Sequence, residues 1–190
     1  MGHIKEPKHI PLLLKLGIRI AERKTGKRME PARVLAWYPK AAVGSGVLES
    51  LVAHEEPGIS RRLLQLVRMQ VSILVNCSFC IDMNSDGYEQ HQITREEIEG
   101  LQDLRPITDI STFSREERIA LQYAKELTTT PLPGNDDTIS LMKECFDERQ
   151  FVVLATTAAQ VNYWARLIKG LGIPPAGFRT ECSLPPDPVL

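Results

Sequence analysis

The segment from Ile59 to Val75 constrains the fold more than any other part of the chain. Its apolar residues recur at spacings of three and four, and the faces between them carry further apolar side chains, namely Leu64, Met69, Ile73 and Val75. A helix that is apolar on most of its faces belongs in the centre of a core. The sequence therefore predicts a helical protein assembled around this segment.

Three start signals predict helices further along the chain. Each is a pair with the capping-box spacing, in which two side chains satisfy the first amide groups of a helix: Thr94 with Glu97, Ser114 with Glu117, and Asp147 with Gln150. They predict helices at about 94–103, 115–128 and 148–170, with another over 136–146. No segment alternates apolar and polar residues between hairpin turns, so the expected fold class is all-α.

The length of 190 residues suits one domain, with or without an additional arm. Residues 1–30 are expected to form an N-terminal arm or helix that ends near Gly26, and prolines and glycines over 31–58 predict short helices and turns. The expected main unit is a helical domain over 31–178. Residues 179–190 are rich in proline and are predicted to be an irregular C-terminal tail.

Charge and hydropathy exclude several classes of partner. The 23 Lys and Arg residues nearly balance the 24 Asp and Glu residues, which argues against a nucleic-acid partner. No apolar run is long enough to span a membrane, and the first eight residues carry charge and proline where a signal peptide is apolar. We therefore expect a cytoplasmic protein with no membrane or nucleic-acid partner.

Cys77 and Cys80 carry the clearest chemical signal in the chain. Cysteines three residues apart meet on the first turn of a helix, where free amide groups and the helix dipole favour a thiolate. Thiolates in such pairs attack disulfides and peroxides. A partner cysteine at this spacing resolves the sulfenic acid or mixed disulfide that results.

Other interpretations of these cysteines are possible. Half of a zinc site is one, but no second close pair of Cys or His residues is present. Inert packing in the core is another. A thioredoxin fold is excluded, because a long helix precedes the motif where a strand would be required. Of the remaining cysteines, Cys145 is predicted to fill the core, and Cys182 in the tail has no assignable role.

The stretches Arg61–Asn84, Gln160–Trp164 and Leu171–Pro174 resemble the alkylhydroperoxidase D and carboxymuconolactone decarboxylase family. The resemblance extends over about residues 30–175. It implies an alkylhydroperoxidase D-like helical bundle that assembles as a homo-oligomer.

The redox branch of that family carries a glutamate, eleven residues, Cys-x-x-Cys, three residues and a histidine. The resemblance assigns the peroxide-attacking thiol to Cys80 and the resolving thiol to Cys77. Gln65 and Asn84 occupy the glutamate and histidine positions of the proton relay, and neither amide titrates near neutral pH. His91, two turns beyond Asn84 if the helix continues, and His54 are candidate substitutes.

The leading hypothesis is therefore a thiol–disulfide oxidoreductase with a weakened proton relay. It would reduce hydroperoxides or disulfides through a redox-active Cys77–Cys80 disulfide, without a bound cofactor or metal, and receive electrons from a thiol protein. One alternative is a carboxymuconolactone decarboxylase-type lyase. Another is a non-enzymatic oligomer that senses redox state.

Overall fold

The computed structural model describes residues 2–178, which are organised as α-helices joined by turns. Nine α-helices follow one another in this range: α1 (Leu12–Thr25), α2 (Glu30–Leu35), α3 (Pro39–Glu49), α4 (Arg61–Leu74), α5 (Ser78–Asn84), α6 (Arg95–Leu101), α7 (Arg115–Thr128), α8 (Asp136–Cys145) and α9 (Glu148–Gly170). Two short 3₁₀-helices span Tyr88–His91 and Ile107–Asp109. Residues 2–178 contain no β-strand, so the predicted all-α class is confirmed. The predicted tail and Cys182 lie outside the described residues.

Helix α4 occupies the centre, as its sequence predicts. Every residue from Leu63 to Ser72 is buried, and α4 packs against α5, α7 and α9. The helix begins two residues later than the apolar pattern, because the Ser60 hydroxyl caps it by accepting a hydrogen bond from the Leu63 amide at 3.0 Å. The apolar segment is thus one helix, surrounded by its neighbours on all sides.

All three capping boxes form, so the starts of α6, α7 and α9 lie where the sequence predicts them. Two of these boxes are joined through the first turn of α4. The Arg62 guanidinium donates to the carboxylates of Glu97 and Glu117, the second at 2.7 Å, and to the Gln92 carbonyl at 2.5 Å. One arginine therefore fixes the starts of α6 and α7 against α4.

Helix α1 leaves much of its apolar surface uncovered. Ile18 is its only buried residue, whereas four other apolar side chains are more than half exposed: Leu12, Leu13, Leu16 and Ile20. The helix is attached to α2 by the Arg33 guanidinium, whose Nε donates to the Glu22 carboxylate at 2.7 Å. Within the part of the chain described, no helix combines the length and hydropathy needed to cross a membrane.

Candidate thiol site

A tight reversal between α4 and α5 positions the cysteine pair. Asn76 has a positive φ of 53°, the left-handed conformation that commonly ends a helix. Its amide donates to the Ile73 carbonyl at 2.8 Å, and the Cys77 amide donates to the Ser72 carbonyl at 3.1 Å. These two bonds form a Schellman motif, which closes α4 and folds α5 back against it.

Cys77 is the N-cap residue of α5, and Cys80 lies in its first turn. The Cys80 amide donates to Cys77 Sγ at 3.3 Å. The sequence prediction that the two cysteines meet at the start of a helix is therefore matched by the geometry.

The pKa values of the two thiols are shifted in opposite directions. The hydrogen bond from Cys80 is the main cause of the lowered pKa of Cys77; burial opposes it, while the Phe79 amide and the Lys169 charge add to it. The pKa of Cys80 is raised, because its proton is bonded to Cys77 and because burial and the charges of Cys77 and Glu49 disfavour a thiolate. Within the pair, a thiolate is therefore favoured on Cys77 over Cys80.

Both cysteines are enclosed by protein, with exposed fractions of 2% for Cys77 and 1% for Cys80. They belong to a cluster of buried apolar residues contributed by α2, α5, α9 and the segment after α9: Val34, Phe79, Ala165, Ile168 and Ile173. A substrate therefore reaches either sulfur only when a covering side chain moves aside.

The segment after α9 forms part of that cover. The buried carboxylate of Asp82 in α5 accepts hydrogen bonds from the amides of Ala176, Gly177 and Phe178 at 2.8–3.1 Å. The Phe178 ring meets the Phe79 ring edge-on, with centroids 6.2 Å apart. One carboxylate thus fastens residues 176–178 over the helix that carries Cys80.

Gln65 and Asn84, at the positions of the missing relay, do come close together. Gln65 Nε2 donates to the backbone carbonyls of Asn84 and Asp86 at 3.2 and 3.0 Å, and Asn84 Nδ2 donates to Ser72 Oγ at 2.9 Å. These bonds tie α4 to α5 and to the turn after it. A glutamate in place of Gln65 would point a carboxylate oxygen, which only accepts, at the Asn84 and Asp86 carbonyl oxygens. The Gln65 amide group is therefore needed to hold α4 against the turn after α5.

The predicted position of His91 is wrong. Helix α5 ends at Asn84, and Gly87 then takes a left-handed conformation with φ of 65°, so His91 falls in a separate 3₁₀-helix. It does not continue the face of α5 that carries Cys80 and Asn84. His54 lies in the connection from α3 to α4, where burial, aided by the charges of Arg68 and Lys24, lowers its pKa.

Glu49, which the sequence argument did not single out, lies near Cys80. It is the last residue of α3, and its carboxylate accepts a hydrogen bond from Gln160 Nε2 of α9 at 2.9 Å. Its charge contributes to the raised pKa of Cys80. Glu49 and Gln160 are 111 residues apart in the sequence, and no local pattern connects them.

A surface pocket borders the site. It has a volume of about 320 Å³, lies beside the α4–α5 turn and is lined by Leu74, Val75, Thr128, Arg166 and Lys169. In the range 2–178, no group of three or more His, Cys, Asp or Glu side chains is arranged to hold a metal ion. Cys145, at the end of α8, packs half-buried against the core, as expected for a filler.

Comparison with known sequences gives distant relatives. No family model matches the chain. The uncharacterized protein YdfG of Bacillus subtilis (strain 168) is 26% identical over 140 residues, which are 73% of this chain and 93% of YdfG. The uncharacterized protein YnjA of Escherichia coli (strain K12) is 23% identical over 176 residues, which are 93% of each chain.

Comparison with solved structures shows the fold. A peroxidase-related protein of Silicibacter sp. TM1040 matches with a TM-score of 0.76 and 14% identity over 95% of each chain. An alkylhydroperoxidase AhpD core protein of Ralstonia eutropha JMP134 matches with a TM-score of 0.75 and 13% identity over 92% of each chain. The debrominase Bmp8 matches with a TM-score of 0.71 and 18% identity over 88% of this chain and 89% of Bmp8.

The chain therefore has the helical fold of alkylhydroperoxidase D-like proteins. The resemblance to the alkylhydroperoxidase D and carboxymuconolactone decarboxylase family, first drawn from short motifs, is confirmed at the level of the fold.

Proposed function

We propose that the protein is a thiol–disulfide oxidoreductase that reduces hydroperoxides or disulfides through Cys77 and Cys80. The observation that carries the proposal is the meeting of the two cysteines at the start of α5, where the Cys80 amide donates to Cys77 Sγ at 3.3 Å and the pKa of Cys77 is lowered. Transfer of a proton between the two sulfurs would let either act as the nucleophile. The peroxidase-related neighbours of the same fold support this reaction class.

The proposed cycle has three steps. The Cys80 proton first passes to Cys77; the Cys80 thiolate then attacks a peroxide oxygen, the O–O bond breaks, and the leaving alkoxide takes up a proton to become an alcohol. The resulting sulfenic acid on Cys80 condenses with the Cys77 thiol to form a disulfide and water. A dithiol protein then supplies two electrons and two protons to regenerate both thiols.

The remaining parts of the proposal concern location and assembly. Chemistry that uses free thiols between turnovers suits the cytoplasm, where cysteines are kept reduced. The four exposed apolar residues of α1 favour a homo-oligomer, because an uncovered apolar helix face is a candidate contact surface. The cycle requires no bound cofactor and involves no nucleic acid or membrane.

The two alternative functions are separated by the role of the cysteines. A carboxymuconolactone decarboxylase-type lyase needs polar acid–base groups, whereas this site is a buried thiol pair in apolar surroundings. A redox-sensing oligomer would form the same disulfide but would not turn over. Turnover with a reductant therefore distinguishes an enzyme from a sensor.

The decisive experiment follows the consumption of cumene hydroperoxide with dithiothreitol as the electron donor. Cys80→Ser is expected to abolish turnover. Cys77→Ser, oxidised in the absence of dithiothreitol, is expected to accumulate a sulfenic acid on Cys80 that dimedone labels. Cys145→Ser is the matched control, because Cys145 is a half-buried cysteine outside the site, and it should behave as the wild type. Equal turnover in the wild type and in Cys80→Ser would overturn the proposal.

A brominated pyrrole is a second substrate class for the same thiols. The debrominase Bmp8 shares the fold, and a variant of it has been solved in complex with 2,3,4-tribromopyrrole. Attack of a thiolate on bromine, protonation of the ring carbon and disulfide closure would release bromide and consume two thiols. Bromide release by the wild type but not by Cys80→Ser would support this class, and no release would exclude it.

A further inference from the structure

Two polar contacts fix α3 against α9 beside the cysteine pair. Ser45 Oγ and Tyr163 Oη lie 2.6 Å apart, and one turn further along α3 the Glu49 carboxylate accepts from Gln160 Nε2 at 2.9 Å. Ser45 precedes Glu49 in α3, whereas Tyr163 follows Gln160 in α9, so the two helices are antiparallel where they meet. They hold the Glu49 carboxylate in one place on the surface of α9.

The Glu49 carboxylate makes no ion pair within residues 2–178, although cations lie nearby. Arg68 of α4 is buried, with an exposed fraction of 7%, and its Nη1 donates to the Ala53 carbonyl at 2.6 Å. Lys24 of α1 acts on Glu49 only through its charge. The carboxylate therefore has little direct stabilisation of its negative form.

Glu49 is an exposed residue at the end of α3, but protein atoms crowd one side of its carboxyl group. That burial raises the pKa of Glu49; the Trp164 and Gln160 side chains and the charges of Arg68 and Lys24 oppose the rise without cancelling it. Such a carboxyl group retains its proton to higher pH than one without these neighbours, which is the property that a general acid needs.

The indole of Trp164, one turn from Gln160 on α9, interacts with the Glu49 carboxyl group, whereas the buried Gln160 Oε1 beside them has no hydrogen-bond partner. Buried polar groups are normally satisfied, so this oxygen indicates a place for a small polar ligand. Trp164 packs against the cluster that contains Cys77 and Cys80, which brings this place to the thiols.

We propose that Glu49 is the general acid of the peroxide reduction, and that Gln160 binds the peroxide beside it. The inference rests on the function proposed above. It supplies a proton donor for the peroxide, a role that the side-chain amides of Gln65 and Asn84 cannot fill. As Cys80 Sγ forms its bond to one peroxide oxygen and the O–O bond breaks, the Glu49 carboxyl group donates its proton to the departing oxygen. The carboxylate regains a proton from solvent before the next turnover.

A purely structural Glu49 would do no more than accept the bond from Gln160. Glu49→Gln separates the two roles, because an amide oxygen still accepts that bond but the amide donates no proton near neutral pH. Glu144→Gln is the matched control, since Glu144 is an exposed carboxylate paired with Arg115 on the surface.

The experiment compares two oxidants in single turnover. Cumene hydroperoxide has a poor leaving group that needs a proton, whereas 5,5′-dithiobis(2-nitrobenzoate) releases a stable thiolate that does not. Glu49→Gln is expected to slow oxidation by the hydroperoxide about 100-fold or more, within the range for a positioned acid, and to leave the reaction with the aromatic disulfide within about twofold of the wild type. Glu144→Gln should change neither rate.

A second variant and the pH profile complete the test. Glu49→Asp keeps a carboxyl group and should be faster with the hydroperoxide than Glu49→Gln. The wild-type rate should fall at high pH as Glu49 loses its proton, and Glu49→Gln should lack that limb. Equal slowing of both oxidants by Glu49→Gln, or no slowing of either, overturns the role of Glu49 while the wild type still turns over. A wild type that the hydroperoxide does not oxidise overturns the proposed function instead.

Discussion

Replacing Arg62 by methionine removes the charge that joins two capping boxes to α4. Arg62 Nε donates to Glu117 at 2.7 Å, and the Nη2 group donates to Glu97. Methionine keeps an unbranched apolar side chain of similar reach, so packing is largely preserved. The carboxylate of Glu97, which has an exposed fraction of 0%, is left without its partner cation.

The expected loss of stability follows from that burial. Removing one partner of a buried ion pair costs about 3–5 kcal/mol, because the other charge remains uncompensated. Arg62 is itself 19% exposed, so we expect a value near the lower end, about 3 kcal/mol. In a chain of this size about 1 kcal/mol shifts the melting temperature by about 2–4 °C, which gives a fall of about 6–12 °C.

The deficit should also depend on pH. Burial acts to raise the pKa of Glu97, but the hydrogen bonds from Arg62, Thr112 and the Thr94 amide outweigh it, and the net pKa is lowered. In the wild type this carboxylate stabilises the fold above its unfolded pKa, and the stabilisation is lost as the pH falls through the lower folded value. Without Arg62, burial raises the pKa, so the variant loses stability as the pH rises. The difference between the two proteins should therefore be large at about pH 7 and shrink toward about pH 4.

Urea and thermal unfolding, followed by far-ultraviolet circular dichroism, measure this difference. Arg61→Met is the matched control, because Arg61 pairs with Glu55 and both side chains are more than half exposed. Exposed pairs contribute less than about 1 kcal/mol. The reasoning is refuted if Arg62→Met is no less stable than Arg61→Met, or if its deficit does not change with pH.

Three further outcomes are expected. Leu13→Lys places a charge on the exposed face of α1 and should weaken self-association about 10-fold or more in analytical ultracentrifugation, whereas an unchanged oligomer would place the interface elsewhere. Gln65→Glu loses the donor to the Asn84 carbonyl and should cost about 1–3 kcal/mol in urea unfolding, with the cost growing as pH rises; a neutral effect would contradict the role given to that amide. Leu154→Ala, in the buried core of α9, should cost about 2–5 kcal/mol by the same measurement, and a cost below about 1 kcal/mol would mean that the core closes around the cavity.

The helices were predictable because their signals are local. The α7 and α9 boundaries follow from Ser114 with Glu117 and from Asp147 with Gln150, pairs that need only neighbours three residues away. The meeting of the two cysteines at a helix start is likewise set within a few residues, by the turn at Asn76. Local patterns of this kind do not depend on the rest of the fold.

Contacts between distant segments were not predictable in the same way. Glu49 reaches Gln160 only because the fold brings the end of α3 to α9, and neither residue has a neighbour in the sequence that signals this. The prediction for His91 was wrong because it extended α5 past Asn84, whereas Gly87 turns the chain there. The use of Gln65 as a donor to two carbonyls also requires knowing where the turn after α5 lies.

Peptide mapping of the peroxide-treated protein tests the central claim most directly. Trypsin cuts after Arg68 and Arg95, so Cys77 and Cys80 fall on one peptide, and Cys145 and Cys182 fall on two others. Treatment with one equivalent of hydrogen peroxide should remove two hydrogen atoms from the peptide of the pair and block its alkylation, and dithiothreitol should reverse both changes. If Cys77 and Cys80 stay free and alkylatable, or if either pairs with Cys145 or Cys182 instead, the account of a redox-active pair is contradicted.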